Sequence, residues 1–327
     1  MNKSILITGA NSGLGKESAR QLAMIKTTEK IYLACRNLSK AEEAKQSLEE
    51  STGKSIFEIV IMDVSNPDSV RSVVNKLEKP IDALIMNAGG MGGKNPMQLT
   101  SQGVTSLFAH NLLGHVILLD ELIKTKKLTK VALYAGSEGA RGVEQMKMNR
   151  PALKTSSADE FASVIDGSFF NQDIDPMESY GYVKYMAALW MSAVARKNPN
   201  LRVLTMSPGF TSGTAVMNDL PPTKRLMFKY IMLPIVAPLK GMVHKVEKGA
   251  KRFVEGINDE SYASGLFYAS KANKLVGTVV DQSTLFPDLK NATFQNNASE
   301  AIHRFIKEEK DSLSKQNYVN DRVREAS

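Results

Sequence analysis

The first half of the chain alternates short apolar runs with segments of helical periodicity, an order that predicts a parallel sheet wound with helices. The apolar runs predict strands at residues 3–8, 30–35, 56–62, 81–86 and 129–135, and the segments between them predict helices near 13–25, 39–51, 66–78 and 100–125. These runs are continuously apolar, as expected of strands covered on both faces. A further helix is expected over about 178–197, a strand over Arg202–Met206, and Gly265–Ala269 as the segment that closes the sheet. Residues 138–178 show little period, and loops of that length are usually functional or mobile; a substrate-side wall and a surface insertion both remain open. No repeat or linker interrupts the pattern. The expectation is one α/β domain built on a doubly wound parallel sheet over residues 1–310. It carries the insert 138–178 and a substrate-side segment at 212–260, with 311–327 as a polar tail.

Composition narrows this reading rather than redirecting it. At 327 residues, 43% apolar and 23% charged, the chain is long enough for a large core and ordinary for a globular protein. The net charge of +8 is dispersed, which disfavours nucleic acid and is compatible with an anionic small ligand. The single cysteine, Cys35, excludes an internal disulfide and suits a reducing compartment. Ile5-Leu6-Ile7 reads as a strand with four residues before it, so no targeting segment is expected. The apolar run Met227–Leu239 carries Lys229 and two prolines and is too short to span a bilayer. A cytoplasmic location is expected.

Candidate chemistry gathers at strand ends. Thr8-Gly9-Ala10-Asn11-Ser12-Gly13-Leu14-Gly15 follows the first strand and opens a helix, where glycines let a pyrophosphate approach the helix N-terminus. Arg36 ends the second strand, the place that meets an adenosine ribose. An arginine fork there suits a 2′-phosphate, Lys40 could add charge, and NADP(H) is favoured over NAD(H). Asp63, followed by Val64, could accept from an adenine amino group, and Asn87-Ala88-Gly89 could order a loop and pass close to a cofactor. Asn111 and Gly114 sit in mid-helix, where both lower helix propensity, and the asparagine needs a partner, a kink or a water. His110 and His115 lack a third ligand, so no metal is expected. Ser137 ends a central strand and can reach a ligand, although no Gly-x-Ser-x-Gly elbow surrounds it. Tyr180 and Lys184, four apart, share a helix face, and an ammonium there would lower the phenol's pKa and make it a general acid or base. Tyr182 has no lysine at the same spacing. Ser207-Pro208-Gly209-Phe210-Thr211 and Thr214 form a turn whose hydroxyls could bond a carboxamide or phosphate, and 226–242 reads as an apolar flap, a core segment or a subunit contact.

Taken together, these stretches resemble the short-chain dehydrogenase/reductase family over roughly residues 3–285, which implies a Rossmann fold. Thr8 to Gly15 looks like the family's cofactor turn, Asp63 its adenine contact and Asn87-Ala88-Gly89 its structural motif. Asn111, Ser137, Tyr180 and Lys184 match its catalytic tetrad, and Pro208-Gly209 its nicotinamide-side turn. Ala34-Cys35-Arg36, Asn111 to His115 and the long insert look most like the retinol dehydrogenase and protochlorophyllide reductase branch. The 43 positions between Ser137 and Tyr180 exceed the family's short members, and Thr214 falls one residue later than the common pattern.

The resemblance implies hydride transfer between NADP(H) and a carbonyl or alcohol of a bulky hydrophobic substrate. Tyr180 would donate the proton, Ser137 would orient the oxygen, Lys184 would hold the nicotinamide ribose and Asn111 would position a proton-supplying water. Two rivals are a catalytically silent cofactor-binding scaffold and a protochlorophyllide reductase-like C=C reductase; the lone Cys35, at the adenosine end, weakens the latter. Peripheral membrane contact and homo-oligomerisation are left open.

Overall fold

A computed structural model describes residues 2–146, 148–171, 174–212 and 242–306. The elements in chain order are β1 Ser4–Thr8, α1 Gly13–Ala23, β2 Lys30–Cys35, α2 Leu38–Thr52, β3 Phe57–Ile61, α3 Pro67–Lys76 and β4 Ile81–Met86. Next come α4 Ser106–Lys124, β5 Leu128–Ala135, α5 Ala158–Asp166, α6 Pro176–Lys197, β6 Arg202–Met206, α7 Val246–Asn258, β7 Phe267–Ser270, β8 Val279–Asp281 and a last helix, α8, over 292–306.

Eight strands form one sheet in the order β3-β2-β1-β4-β5-β6-β7-β8, parallel except for the antiparallel β8. Successive side chains of each strand face opposite sides. Leu6, Tyr32 and Leu84 join a core with α3, α4, α6 and α8, while Ile5, Ile7, Ile31 and Leu33 join another with α1, α2 and α7. This explains the continuous apolar runs. Chain order reverses between β1 and β4, so a crevice opens at the carboxyl ends of the strands. Residues 4–8, 30–35, 81–86 and 202–206 match the expected strands closely.

Several elements differ from expectation for local reasons. β3 is an edge strand with Glu58 and Ile61 exposed, so only part of it is covered. α4 starts at Ser106, not 100, because Thr105 caps it by accepting from Phe108 N at 3.3 Å. The insert 138–178 is not without structure. It holds α5, capped by Ser157 and ended by Gly167 at φ 85°, and α6 begins at Pro176 behind the Asp175 cap. Phe161 of α5 lies in the core, and Phe169 and Phe170 pack on Tyr182, so much of the insert is structural. β7 does not close the sheet; β8 adds beyond it. The 226–241 part of the expected flap, Thr214 and the tail 311–327 lie outside the described residues. α4 is long and apolar enough by composition to cross a membrane, yet Phe108, Leu112, Val116 and Leu119 are fully buried in the core.

Gly114 shows why α4 tolerates a poor helix former at its centre. A Cβ there would overlap the Val64 carbonyl, a backbone atom of the loop after β3 that cannot rotate aside. Gly114→Ala should therefore destabilise the fold by about 2 kcal/mol or more, lowering the thermal midpoint by several degrees. An unchanged melting curve would show that helix and loop separate without cost.

Candidate active site

The turn after β1 is built to meet an anion. Gly9 and Gly13 hold φ of 66° and 52°, conformations that disfavour side chains. A Cβ on Gly15 would come within 2.6 Å of Asn87 Nδ2 and overlap the Gly9 carbonyl, so glycine is needed for α1 to pack on the turn. Ser12 precedes α1 without a side-chain cap, and no acidic residue occupies the first turn. The helix N-terminus thus keeps its positive end for a ligand. Leu14 and Asn11 flank this cradle, and Cys35 is buried below it, near the Ala10 and Asn11 backbone. Burial pushes this thiol up to about 11, an inert setting.

The other strand-end residues line the same crevice. Arg36 and Lys40 are both exposed beyond β2, with Asn37 capping α2 between them by accepting from Lys40 N at 2.9 Å. Asp63 binds Ser65 through one carboxylate oxygen, at 2.9 Å to the amide and 2.7 Å to the hydroxyl. Asn87 orders the loop as expected, donating to Thr8 O at 2.9 Å, while Asn87 N and Ala88 N both donate to Thr8 Oγ1 at 2.8 Å. A Cβ on Gly89 would lie 2.6 Å from Asn111 Oδ1, which measures how closely this loop passes α4.

Asn111 sits in a π-turn of α4, Ala109–Leu113, and is fully buried. Its side chain donates to Gly90 O at 2.7 Å and Leu107 O at 2.9 Å and accepts from Gly90 N at 3.2 Å, so its mid-helix need for partners is met by protein. Its carbonyl oxygen accepts from His115 Nδ1 at 2.8 Å and from the Tyr134 hydroxyl at 2.9 Å. The Asn111 main-chain oxygen thus has both lone pairs engaged by protein groups. Both ring nitrogens of His115 bond protein groups. Thr8 Oγ1, already accepting from two amides, donates its proton to His115 Nε2 at 2.9 Å, which places the ring proton on Nδ1. Burial lowers the His115 pKa to about 4, so the ring is neutral. His110, half-buried, bonds Ser106 O at 2.7 Å.

Ser137, Tyr180 and Lys184 converge beyond β5. The close passage of α6 over the turn Glu138–Arg141 makes this possible, since a Cβ on Gly181 would lie 2.9 Å from Gly139 O. The Ser137 hydroxyl faces the Tyr180 phenol closely enough to favour its ionised form. Lys184, 3% exposed, points its Nζ at β5, donating to Ala135 O at 2.9 Å and Tyr134 OH at 3.2 Å, and stands 5.4 Å from the Tyr180 ring centroid. The expected fall of the Tyr180 pKa is not found. Burial raises it strongly, the nearby Ser137 hydroxyl opposes this, and the Glu138 charge raises it further. Burial also lowers the Lys184 pKa to about 7. Shared helical spacing set the two residues on one face, but desolvation outweighs a lysine turned towards β5. Tyr182 is structural, donating to Ala152 O at 3.1 Å.

After β6, Gly209 takes φ 77° and its amide donates to Ser207 Oγ at 3.2 Å, Phe210 N bonds Leu275 O at 2.9 Å, and Thr211 donates to Gly209 O at 3.0 Å. His244 bonds Pro208 O at 2.7 Å and holds the turn from outside. Sequence reasoning missed three buried contributors. Glu138 accepts from Ser270 Oγ at 3.0 Å and from Ser207, and lies 3.6 Å from Arg252, which donates to Ser207 O at 3.1 Å. Tyr134 was missed too, although a phenol inside the aliphatic run Val131–Ala135 must find a partner, which is a usable signal. Among the described residues no cluster suits a metal.

Comparison with known proteins bears on the fold. The short chain dehydrogenase family profile matches residues 3–133. The bovine protein "Dehydrogenase/reductase SDR family member 12" is 28% identical over 222 residues, 67% of this chain and 64% of its own length. Mouse retinol dehydrogenase 12 is 36% identical over 128 residues, 38% of this chain and 39% of its own. The chain thus spans less than two thirds of these relatives. L-sorbose reductase from Gluconobacter frateurii, solved with NADPH and L-sorbose, shares the fold with a TM-score of 0.60 at 20% identity, covering 84% of this chain and 97% of that one. In the order of its elements and in the profile carried by its first strands and helices, the chain is similar to the short-chain dehydrogenase/reductase family, and over part of its length to retinol dehydrogenase 12.

Proposed function

We propose that this protein is an NADP(H)-dependent oxidoreductase that interconverts a carbonyl and an alcohol on a bulky, apolar substrate. The observation that carries the reading is the convergence of Ser137, Tyr180 and Lys184 at the strand ends that also present the anion cradle. Gly9 to Gly15, Arg36, Asp63, Val64, Asn87 to Gly89 and Pro208 to Thr211 would hold the dinucleotide, and Lys184 its ribose. When bound, the nicotinamide supplies a hydride to the carbonyl carbon. Tyr180 gives its proton to the carbonyl oxygen, completing the alcohol, and Ser137 hydrogen-bonds the same oxygen to orient it. In the reverse direction Tyr180 takes the hydroxyl proton.

An apolar cluster beside the tyrosine supports the substrate class. Val143, Met148 and Leu275 form its centre, with Met146, Met177, Phe210 and Met242 packed against it. Met148 reaches both Gly139 and Gly181, next to Ser137 and Tyr180. Methionine-rich walls adapt to bulky apolar ligands. The exposed Arg36 and Lys40 favour NADP(H), as a guanidinium fork suits a phosphate. The name of the mouse retinol dehydrogenase points to the same chemical class.

Tyr180→Phe should lower turnover of bulky aldehydes and ketones by about 10²–10⁴-fold while NADPH binding, followed by its fluorescence, stays nearly intact. Retained turnover in that variant would refute the acid–base role. Arg36→Asp should weaken NADPH by about 10–100-fold and leave NADH little changed; equal effects on both cofactors would make Arg36 a bystander.

A further inference from the structure

Tyr134 occupies a place that the proposed chemistry leaves undefined. It is fully buried in β5 beneath the site. Its one proton goes to Asn111 O at 2.9 Å, so its oxygen faces Lys184 Nζ, 3.2 Å away, with a lone pair. The ammonium also lies 4.6 Å from the Tyr134 ring centroid, over the electron-rich face. Lys184 has three N–H donors, and two are taken by Tyr134 and Ala135 O. Asn111 O, for its part, is filled by Tyr134 and by His115, whose tautomer is set by Thr8.

We propose that Tyr134 is a positioning residue of the catalytic centre: its hydroxyl seals the Asn111 carbonyl and serves as the acceptor that orients Lys184 and favours its charged form. The carbonyl is not a passage for protons, because the phenol proton donated to it has no basic group beyond; His115 already presents Nδ1–H there. The catalytic consequence rests on the hydride-transfer reading above, but the contact does not. Tyr134, Tyr180 and His115 are the titratable groups that act on or face Lys184, from β5, α6 and α4, with Glu138 acting on the tyrosine beside it.

The test is a titration of Lys184 in the cofactor-free protein, read from the ¹³Cε signal of labelled lysine and assigned with Lys184→Met. In Tyr134→Phe the Lys184 midpoint should fall by about one pH unit, tenfold in its protonation constant, since an acceptor is lost where no bulk water compensates. A role limited to packing leaves the midpoint where it was in the wild type, and that result overturns the proposal. Should Tyr134→Phe fail to fold, 3-fluorotyrosine at position 134 keeps the shape and weakens the oxygen as an acceptor. A smaller fall in the same direction is then expected, and an unchanged midpoint refutes the assignment. The titration needs no substrate, so its outcome is separable from any failure of the proposed turnover.

Discussion

The site depends on one buried chain of hydrogen bonds that crosses the fold. It runs from Thr8 on β1 through His115 and Asn111 on α4 to Tyr134 on β5 and Lys184 on α6. All five are fully or almost fully buried, at most 3% exposed. In such surroundings a polar group left unpaired costs about 1–3 kcal/mol, so each member constrains the next. Thr8 accepts two loop amides and must donate to His115; His115 must then donate to Asn111; Tyr134 fills the remaining lone pair and must accept from Lys184. The chain therefore links the turn after β1 to Lys184 through a fixed order of donors and acceptors. The glycines at 89 and 114 let α4 come close enough to take part.

A second buried element, the Glu138–Arg252 pair, performs the equivalent task on the far side of Ser137. Arg252 on α7 reaches Ser207 O, Ser270 Oγ and Gly277 O at 3.1, 3.0 and 2.9 Å, and Glu138 adds bonds from Ser207 and Ser270. Isolated burial of either charge would be strongly unfavourable. Together with these hydroxyls and carbonyls they fasten the carboxyl ends of β5, β6 and β7, leaving Gly209 to turn over a rigid base. The arrangement also leaves a carboxylate near Tyr180, where it opposes phenolate formation.

What was legible in the sequence follows the range of the interaction. Strands such as Lys30–Cys35 and Ile81–Met86 are set by local apolar runs, and their bounds could be read directly. α5 was missed because it spans only nine residues, although its buried Ala158, Phe161, Val164 and Ile165 fall at helical spacing. Its Ser157 cap, accepting from Glu160 N at 3.2 Å, was the local signal available. The four-residue spacing of Tyr180 and Lys184 placed them on one face correctly. It carried no information on desolvation or on the direction of Nζ, and those decide both pKa values. Tyr134 and Arg252 act across the sheet, beyond the reach of spacing alone.

The protonation states that result favour one use of the tyrosine. Burial moves Tyr180 and Lys184 towards their neutral forms, the phenol upward and the ammonium down to about 7. Around neutral pH Tyr180 therefore holds its proton, the state needed by a proton donor. The opposite role requires a phenolate, which a charged Lys184 would help and the Glu138 carboxylate hinders. Below pH 7 Lys184 is charged and the phenol is protonated as well, so acidification adds positive charge without removing the donor. As pH rises above 7 the lysine charge is lost, and with it the main cation close to the ring. In the proposed reaction the Tyr134 oxygen, by favouring the ammonium, sets how far that charge persists as pH rises.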